Sequence, residues 1–177
     1  MTGPNRTVVF QGRVIDISID TVTLPNGVTL DLEQIHHPGG AAVVAVNDSD
    51  QVCLLRQYRY AADGWLWELP AGKVDNAEPH AVTALRELAE EAGVEASVWH
   101  FLGSVISSPG VFREWIHLYL AQGLTHISAS PEEAEIIEVH WVPLATAIDW
   151  ALDGTITDAK TIIGLHRADF HLSNRQR

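Results

Sequence analysis

The chain has 177 residues, of which 46% are hydrophobic and 19% are charged, and its formal net charge is −12. This composition is typical of a single globular domain with a substantial core. The strong negative charge argues against a nucleic-acid partner and against binding to an anionic membrane. Small molecules that carry phosphate remain compatible with it, because divalent cations can lie between them and an acidic site.

The sequence also indicates the cellular compartment of the protein. No secretory signal is visible behind residues 1–6, and no run of about 18 apolar residues predicts a membrane span. Cys53 lies in the apolar run 52–55 and has no second cysteine to pair with. We therefore expect a protein of the reducing cytoplasm.

The N-terminal third is predicted to form strands. Alternating apolar and polar residues predict a strand over 14–24, and Pro25-Asn26-Gly27 predicts a hairpin turn before a second strand over 28–35. The sequence His37-Pro38-Gly39-Gly40 is predicted to interrupt the strands. A short buried strand over 41–46 is expected next.

The middle of the chain continues with a turn over 47–50, a strand over 51–58 and an aromatic-rich segment that ends at Pro70. The spacing of apolar residues then changes to that of a helix, and a helix is predicted over 79–92, ended by Gly93. The positions predicted to form its buried face are Ala81, Ala84, Leu85, Leu88 and Ala92.

The C-terminal half is predicted to return to strands and to finish with two helices. The strands are expected over 94–107, 115–121 and 136–142, and the helices over 144–152 and 158–169. Without an internal repeat or a linker, residues 1–177 are expected to form one domain. Its predicted fold is a mixed sheet with helices at its margins.

The predicted helix over 79–92 carries a cluster of carboxylates. Glu87, Glu90 and Glu91 span roughly a 100° arc beside the apolar face. They repel one another and lie close to the negative end of the helix dipole. Arg86 is placed to pair with Glu90 but cannot neutralise three acids, whereas a bound Mg²⁺ or Mn²⁺ could. A solvated acidic face is the alternative interpretation.

The context of this cluster favours the metal site. The chain fits the pattern G-x5-E-x7-R-E-U-x-E-E-x-G-U, where U is apolar, without a mismatch. The matching residues are Gly72, Glu78, Arg86, Glu87, Leu88, Glu90, Glu91, Gly93 and Val94. A chance match of the seven fixed letters at one starting point has a probability on the order of 10⁻⁹. The pattern is the signature of the Nudix hydrolases, and most of the chain resembles that family.

The resemblance implies an α/β/α sandwich whose acidic helix holds divalent metal ions, usually Mg²⁺, that bridge a diphosphate joined to a nucleoside. By position, Glu87 and Glu91 resemble the principal metal ligands, Glu90 an additional ligand, and the backbone carbonyl of Ala71 a further one. Arg86 resembles the family's structural arginine. We count Arg86 and Glu90 among the catalytic residues, with Arg86 holding the Glu90 carboxylate.

A general base is needed to take the proton from the attacking water. In the ADP-ribose-type members of the family it comes from an acidic loop late in the chain, which corresponds here to the segment 131–135, Pro-Glu-Glu-Ala-Glu. Glu133 is the first choice for the base and Glu135 the second. A solvated loop is the alternative for either residue.

Segments outside this motif resemble the ADP-ribose and nucleotide-sugar pyrophosphatases. They read RQYRYA over 56–61, WELPAGK over 67–73 and SSPGVFRE over 107–114. Four substrate-binding positions are implied by this resemblance: Arg59 as a phosphate or ribose contact, Glu68 as a substrate or interface carboxylate, Glu114 as an active-site acid, and Pro109. Arg59 as an ordinary surface strand residue is the alternative.

The predicted activity is Mg²⁺-dependent hydrolysis of ADP-ribose or a related nucleoside diphosphate sugar to a nucleoside monophosphate and a sugar phosphate. Val111-Phe112-Arg113 departs from the usual family pattern and leaves the sugar open. The alternatives are another substrate of the family, such as GDP-mannose, a dinucleoside polyphosphate or NADH, and a non-catalytic nucleotide sensor. Family members usually dimerise through N-terminal strands, which implies a homodimer formed through residues 1–38 around a core over 39–170.

Overall fold

The computed structural model describes residues 5–75, 77–131 and 135–175. Within these ranges the chain forms ten β-strands and three α-helices, together with a short 3₁₀ helix over Tyr60–Ala62. The strands are β1 (Asn5–Gln11), β2 (Asp16–Thr23), β3 (Thr29–His36), β4 (Gly40–Ala45), β5 (Gln51–Arg59), β6 (Gly64–Glu68), β7 (Ala71–Lys73), β8 (Val94–Ser108), β9 (Phe112–His126) and β10 (Ile137–Pro143). The helices are α1 (His80–Ala92), α2 (Leu144–Asp153) and α3 (Ala159–Arg175). None of these helices is long and apolar enough to span a bilayer.

Two sheets organise the chain. The larger sheet has the strand order β1-β2-β3-β9-β4-β7, and β8 pairs with β9. Strand β9 runs parallel to both β3 and β4, and the other pairs in this sheet are antiparallel. The smaller sheet has the order β10-β5-β6 and is antiparallel. The predicted mixed sheet is therefore confirmed.

Strand β4 lies at the centre, and all six of its residues are buried. Its side chains alternate between two apolar clusters, as a strand covered on both faces requires. Ala42 and Val44 join the cluster that contains Leu165 of α3, whereas Val43 joins the cluster that contains Leu88 of α1. Helices thus cover both sides of the sheet layer, which confirms the predicted α/β/α sandwich.

Helix α1 begins directly after Pro79 and ends at Gly93, whose φ of 65° lies in the left-handed region that glycine adopts readily. The bounds agree with the prediction, but the buried face differs. Leu85 is 50% exposed, so its predicted place on the buried face is wrong. Glu87 and Glu91 are buried instead, because the helix packs its acidic edge against β7.

The N-terminal strands form an extension of the larger sheet. The predicted hairpin of β2 and β3 is confirmed, and its turn contains Gly27 at a φ of 85°. The separate strand β1 was not predicted. It pairs antiparallel with β2 and all its residues are exposed, while Arg6 anchors it by forming a bidentate pair with the buried Asp20.

Candidate functional site

A cavity of about 460 Å³ opens at the beginning of β4, between α1 and the start of α3. Several elements that are far apart in sequence contribute to its walls. The residues that line it are His37, Gly40, Ala41, Arg59, Ala71, Gly72, Lys73, Asp75, Arg86, Glu87, Glu90, Ser107, Glu114, Ile116, Glu135, Asp158, Ala159 and Lys160. Seven of the predicted site residues are among them: Arg59, Ala71, Arg86, Glu87, Glu90, Glu114 and Glu135.

Arg86 organises the acidic wall. Its Nη1 donates to Oε1 of Glu87 at 2.7 Å and to Oε2 of Glu90 at 3.0 Å, so the predicted pair with Glu90 is present. Its Nη2 donates to Oε1 of Glu78 at 3.2 Å and to the carbonyl oxygen of Lys73 at 3.3 Å. One guanidinium therefore ties α1 to the loop after β7, as its rigid fork of five donors allows.

Glu91 lies beneath this wall and is only 2% exposed. Its Oε2 accepts the backbone N–H of Ala71 at 2.8 Å, and its Oε1 is buried with no hydrogen-bond partner in the described part of the chain. Burial is the main reason that the pKa of Glu91 rises to about 8, and the charges of Glu87 and Glu135 add to the rise. The pKa of Glu87 is also raised, again mainly by burial.

These residues match the chemistry of a hard divalent cation. Carboxylate and carbonyl oxygens are its preferred ligands, and the buried Oε1 of Glu91 is a polar atom with no hydrogen-bond partner among the described residues. Gly72 lets Glu87 approach closely, because a Cβ atom at that position would overlap the Glu87 carboxylate. Across the described ranges, no three acidic, histidine or cysteine side chains are arranged to hold a metal ion, and Arg86 bridges Glu87 and Glu90. The assignment of Ala71, Glu87, Glu90 and Glu91 as ligands stays a prediction.

A second group of charges forms the wall near α3. Arg59 makes a bidentate pair with Glu68, with Nε to Oε1 at 2.7 Å and Nη2 to Oε2 at 3.0 Å. Lys160 donates to the same carboxylate and lies 3.0 Å from Oδ2 of Asp158. Burial acts to raise the pKa of Glu68, but the hydrogen bond from Arg59 and the charge of Lys160 outweigh it, and the pKa is lowered.

Glu68 is 2% exposed and is not among the described residues that line the cavity. The structure places it behind Arg59 and Lys160, which hold its carboxylate. Its contribution to the site is therefore to orient two cations. Its oxygens are paired with two cations in the structure, and the predicted role as a substrate or interface carboxylate stays a prediction.

The third wall comes from β9 and the chain after β3. Oε1 of Glu114 lies 3.3 Å from Nδ1 of His37. The same Nδ1 accepts the backbone N–H of Gly39 at 3.1 Å, so the proton of the neutral imidazole belongs on Nε2. Burial lowers the pKa of His37, and the contact with Glu114 is therefore one between a neutral ring and a carboxylate near pH 7. Pro109 lies in the turn between β8 and β9, outside the described lining of the cavity.

Of the two candidates for the general base, Glu133 lies outside the described residues. Glu135 lines the cavity, and its charge contributes to the raised pKa of both Glu87 and Glu91. The second choice is thus placed near the acidic wall, and both assignments stay predictions.

The sequence did not point to several lining residues, above all His37, Asp158 and Lys160. His37 had only a weak signal in the sequence, since it directly precedes Pro38 in the segment predicted to interrupt the strands. Asp158 accepts from both the backbone N–H and the hydroxyl of Thr161, which is the pattern of a helix N-cap. The approach of Lys160 to Glu68 spans 92 residues, so no local pattern could have revealed it.

Residues 36–163 match the NUDIX domain family. The chain is 38% identical over 159 residues to the methanol dehydrogenase activator of Bacillus methanolicus, covering 89% of this chain and 86% of that protein. It is 37% identical over 155 residues to an ADP-ribose pyrophosphatase of Bacillus subtilis (strain 168), and the match covers 86% of this chain and 84% of that protein. A crystal structure described as an ADP compounds hydrolase shares the fold, with a TM-score of 0.82 at 24% identity and coverage of 99% and 97%.

Proposed function

The chain belongs to the NUDIX domain family, and from that premise we propose that it hydrolyses the diphosphate bond of ADP-ribose or a related nucleoside diphosphate sugar. The products are a nucleoside monophosphate and a sugar phosphate. The Bacillus subtilis relative is named for ADP-ribose, which supports this substrate class. The observation that carries the proposal is the cavity of about 460 Å³, which is lined both by the acidic edge of α1 and by the cations that flank Glu68.

This distribution of charge suits a diphosphate. Arg59 presents a guanidinium whose fork matches phosphate oxygens, and Glu68 holds it in a single orientation. The carboxylates of α1 would repel the same substrate unless a cation lay between them. We propose that this cation is Mg²⁺, with Mn²⁺ as the alternative, and that Glu87, Glu90, Glu91 and the carbonyl of Ala71 hold it. Bound there, it supplies charge neutralisation and polarises the phosphate for attack.

The chain's own residues account for proton transfer and positioning. A water oxygen forms a bond to one phosphorus, and the bond from that phosphorus to the bridging oxygen breaks, so that the electron pair leaves with the second phosphate. The water proton passes to a carboxylate, for which Glu135 is the described candidate and Glu133 the first choice from the sequence. Arg86 keeps Glu87 and Glu90 in place during this step.

The segment 111–113 bears on which sugar the substrate carries. Phe112 of the unusual Val111-Phe112-Arg113 segment packs edge-on against His37, with ring centroids 5.6 Å apart, and His37 lines the cavity. The segment thus lies next to the proposed substrate site. GDP-mannose and other nucleoside diphosphate sugars are alternative substrates for this reason. A non-catalytic nucleotide sensor is the alternative function without hydrolysis.

Product analysis tests the proposal. Purified protein with Mg²⁺ is given ADP-ribose, ADP-glucose, GDP-mannose, UDP-glucose, NADH or a diadenosine polyphosphate, and the products are separated by anion exchange. We expect ADP-ribose to react fastest and to yield AMP and ribose 5-phosphate. Faster turnover of another sugar nucleotide would move the substrate assignment to that sugar. Binding without turnover of any compound would contradict the proposed hydrolase and favour the sensor.

We also propose that the protein is a homodimer formed through its N-terminal strands, around a core over 39–170. Strand β1 is an exposed edge strand, and Val8, Val9 and Phe10 each leave about half of their surface exposed. Exposed apolar edges favour pairing with another chain. Light scattering after gel filtration should give a mass of two chains.

The matched variants for the dimer are Val8→Glu and Val82→Glu, because both valines are about half exposed and Val82 lies on α1. We expect Val8→Glu to shift the protein toward one chain and Val82→Glu to leave the dimer unchanged. A wild-type protein of one-chain mass at micromolar concentration would contradict the proposal.

A further inference from the structure

We propose that Lys160 binds a phosphate group of the substrate, on the wall of the cavity that the start of α3 forms. This inference rests on the proposed hydrolysis of a nucleoside diphosphate sugar and assigns to that reaction a substrate-binding residue. Lys160 is the second residue of α3, and it lines the cavity together with Arg59.

The contacts of Lys160 hold its ammonium in place and leave a donor for a ligand. Its side chain is 15% exposed, and the described residues supply two acceptors, the carboxylates of Glu68 and Asp158. An ammonium has three N–H donors. The third donor therefore has no acceptor among these ion pairs, and an oxygen of a ligand in the cavity would supply one.

The remaining walls explain why a phosphate needs this donor. Glu87, Glu90, Glu114 and Glu135 all line the cavity, and their charges repel an anion. Arg86 and Lys73 are already engaged with carboxylates around the loop after β7. Arg59 and Lys160 are the cations that line the cavity near the start of α3; they too are paired with carboxylates, and Glu68 fixes both in one place. A diphosphate has two phosphate groups, and this pair of cations suits one of them.

A purely structural role is the competing explanation for Lys160. The structure already joins β6 to α3 by another contact, since the buried hydroxyl of Thr161 accepts the backbone N–H of Leu69 at 2.9 Å. Glu68 also keeps its bidentate partner Arg59 when Lys160 is removed. Loss of the lysine ammonium should therefore leave the fold intact.

The test compares Lys160→Met, Lys160→Arg and the control Arg167→Met in steady-state kinetics with the sugar nucleotide that the wild type hydrolyses best. Arg167 lies on the same helix and donates to the carbonyl of Leu102, away from the cavity. We expect Lys160→Met to raise KM about tenfold or more and to raise in parallel the inhibition constant of one of the two products, the nucleoside monophosphate or the sugar phosphate, with kcat within about threefold of the wild type. Lys160→Arg should keep KM within about threefold, and Arg167→Met should match the wild type.

A KM for Lys160→Met within about twofold of the wild-type value would overturn the inference, and so would a fall in kcat alone. If circular dichroism shows Lys160→Met unfolded, Lys160→Gln is measured in its place and must raise KM in the same way. Wild-type turnover, measured first, separates the two proposals. Its absence for every substrate rejects the hydrolase and this inference together, whereas normal turnover with an unchanged KM rejects the role of Lys160 alone.

Discussion

Replacing Glu91 by glutamine is expected to reduce kcat by at least about a hundredfold while the protein remains folded. Glu91 is buried, and its Oε2 accepts the N–H of Ala71, a contact that the amide oxygen of glutamine preserves. The substitution is nearly isosteric and removes one anion from the proposed metal site. Changes even in residues that only support a metal ligand cost about ten- to hundredfold, so the loss of a ligand should cost at least as much.

Glu95→Gln is the matched control for this prediction, because Glu95 is an exposed glutamate on β8 outside the lining of the cavity. Both variants are compared with the wild type by product formation from the best sugar nucleotide and by circular dichroism. We expect Glu95→Gln to keep wild-type turnover and both variants to keep the wild-type spectrum. A fully active Glu91→Gln protein would reject the assignment of the metal site.

The second large effect is a loss of stability with rising pH in the presence of a chelator. The ordinary pKa of a glutamate, which applies to the unfolded chain, is 4.5, whereas the pKa of Glu91 in the folded protein is about 8, mainly through burial. Between these values the folded state holds a proton that the unfolded state has released. The free energy of unfolding must therefore fall as pH rises through this window. The raised pKa of Glu87 acts in the same direction.

Two histidines determine over which pH range the effect of Glu91 on the free energy of unfolding can be measured. Burial lowers the pKa of His37 and of His117 from 6.5, so these two residues make the folded protein more stable as pH rises toward 6.5 and oppose the glutamates there. Above pH 6.5 the protonated fraction of these histidines in the unfolded state falls from about one half toward zero, so their opposing effect is small and fades as pH rises. From pH 6.5 to 8 we expect the free energy of unfolding to fall by about 2 kcal/mol because of Glu91.

Urea unfolding at pH 6.5, 7.2 and 8.0 with a chelator measures this effect. The Glu91→Gln protein is the matched variant, because it retains His37, His117 and the rest of the fold but lacks the titrating carboxyl. Its free energy of unfolding should vary less with pH than that of the wild type. Equal slopes for the two proteins would contradict the raised pKa of Glu91.

The contacts that follow from local spacing were predictable. Arg86 and Glu90 lie four residues apart on one helix, and they pair in the structure as expected. The hairpin of β2 and β3 followed from a turn sequence between two alternating segments, and the bounds of α1 followed from Pro79 and Gly93. In each case the interacting groups lie within a few residues, so the pattern of residue types was sufficient.

The burial of α1 was only partly predictable, because it depends on what the helix packs against. The apolar spacing placed Leu85 inside, yet Leu85 is half exposed, while Glu87 and Glu91 are buried. Strand β7 offers the N–H of Ala71 to Glu91, and Gly72 of the same strand leaves room for Glu87. A helical wheel contains no information about a partner from another part of the chain.

The sequence by itself determined most of the elements and the acidic motif, because these depend on local periodicity and on residue types at short spacing, and the resemblance of that motif to a known family implied the sandwich. Only the tertiary structure decided which charges face one another. It brought Lys160 to Glu68 across 92 residues and Glu114 to the neutral ring of His37. It also buried Glu91 and so raised its pKa. The physical reason is that desolvation and charge pairing depend on distance in space, which is set only when helices and strands pack together.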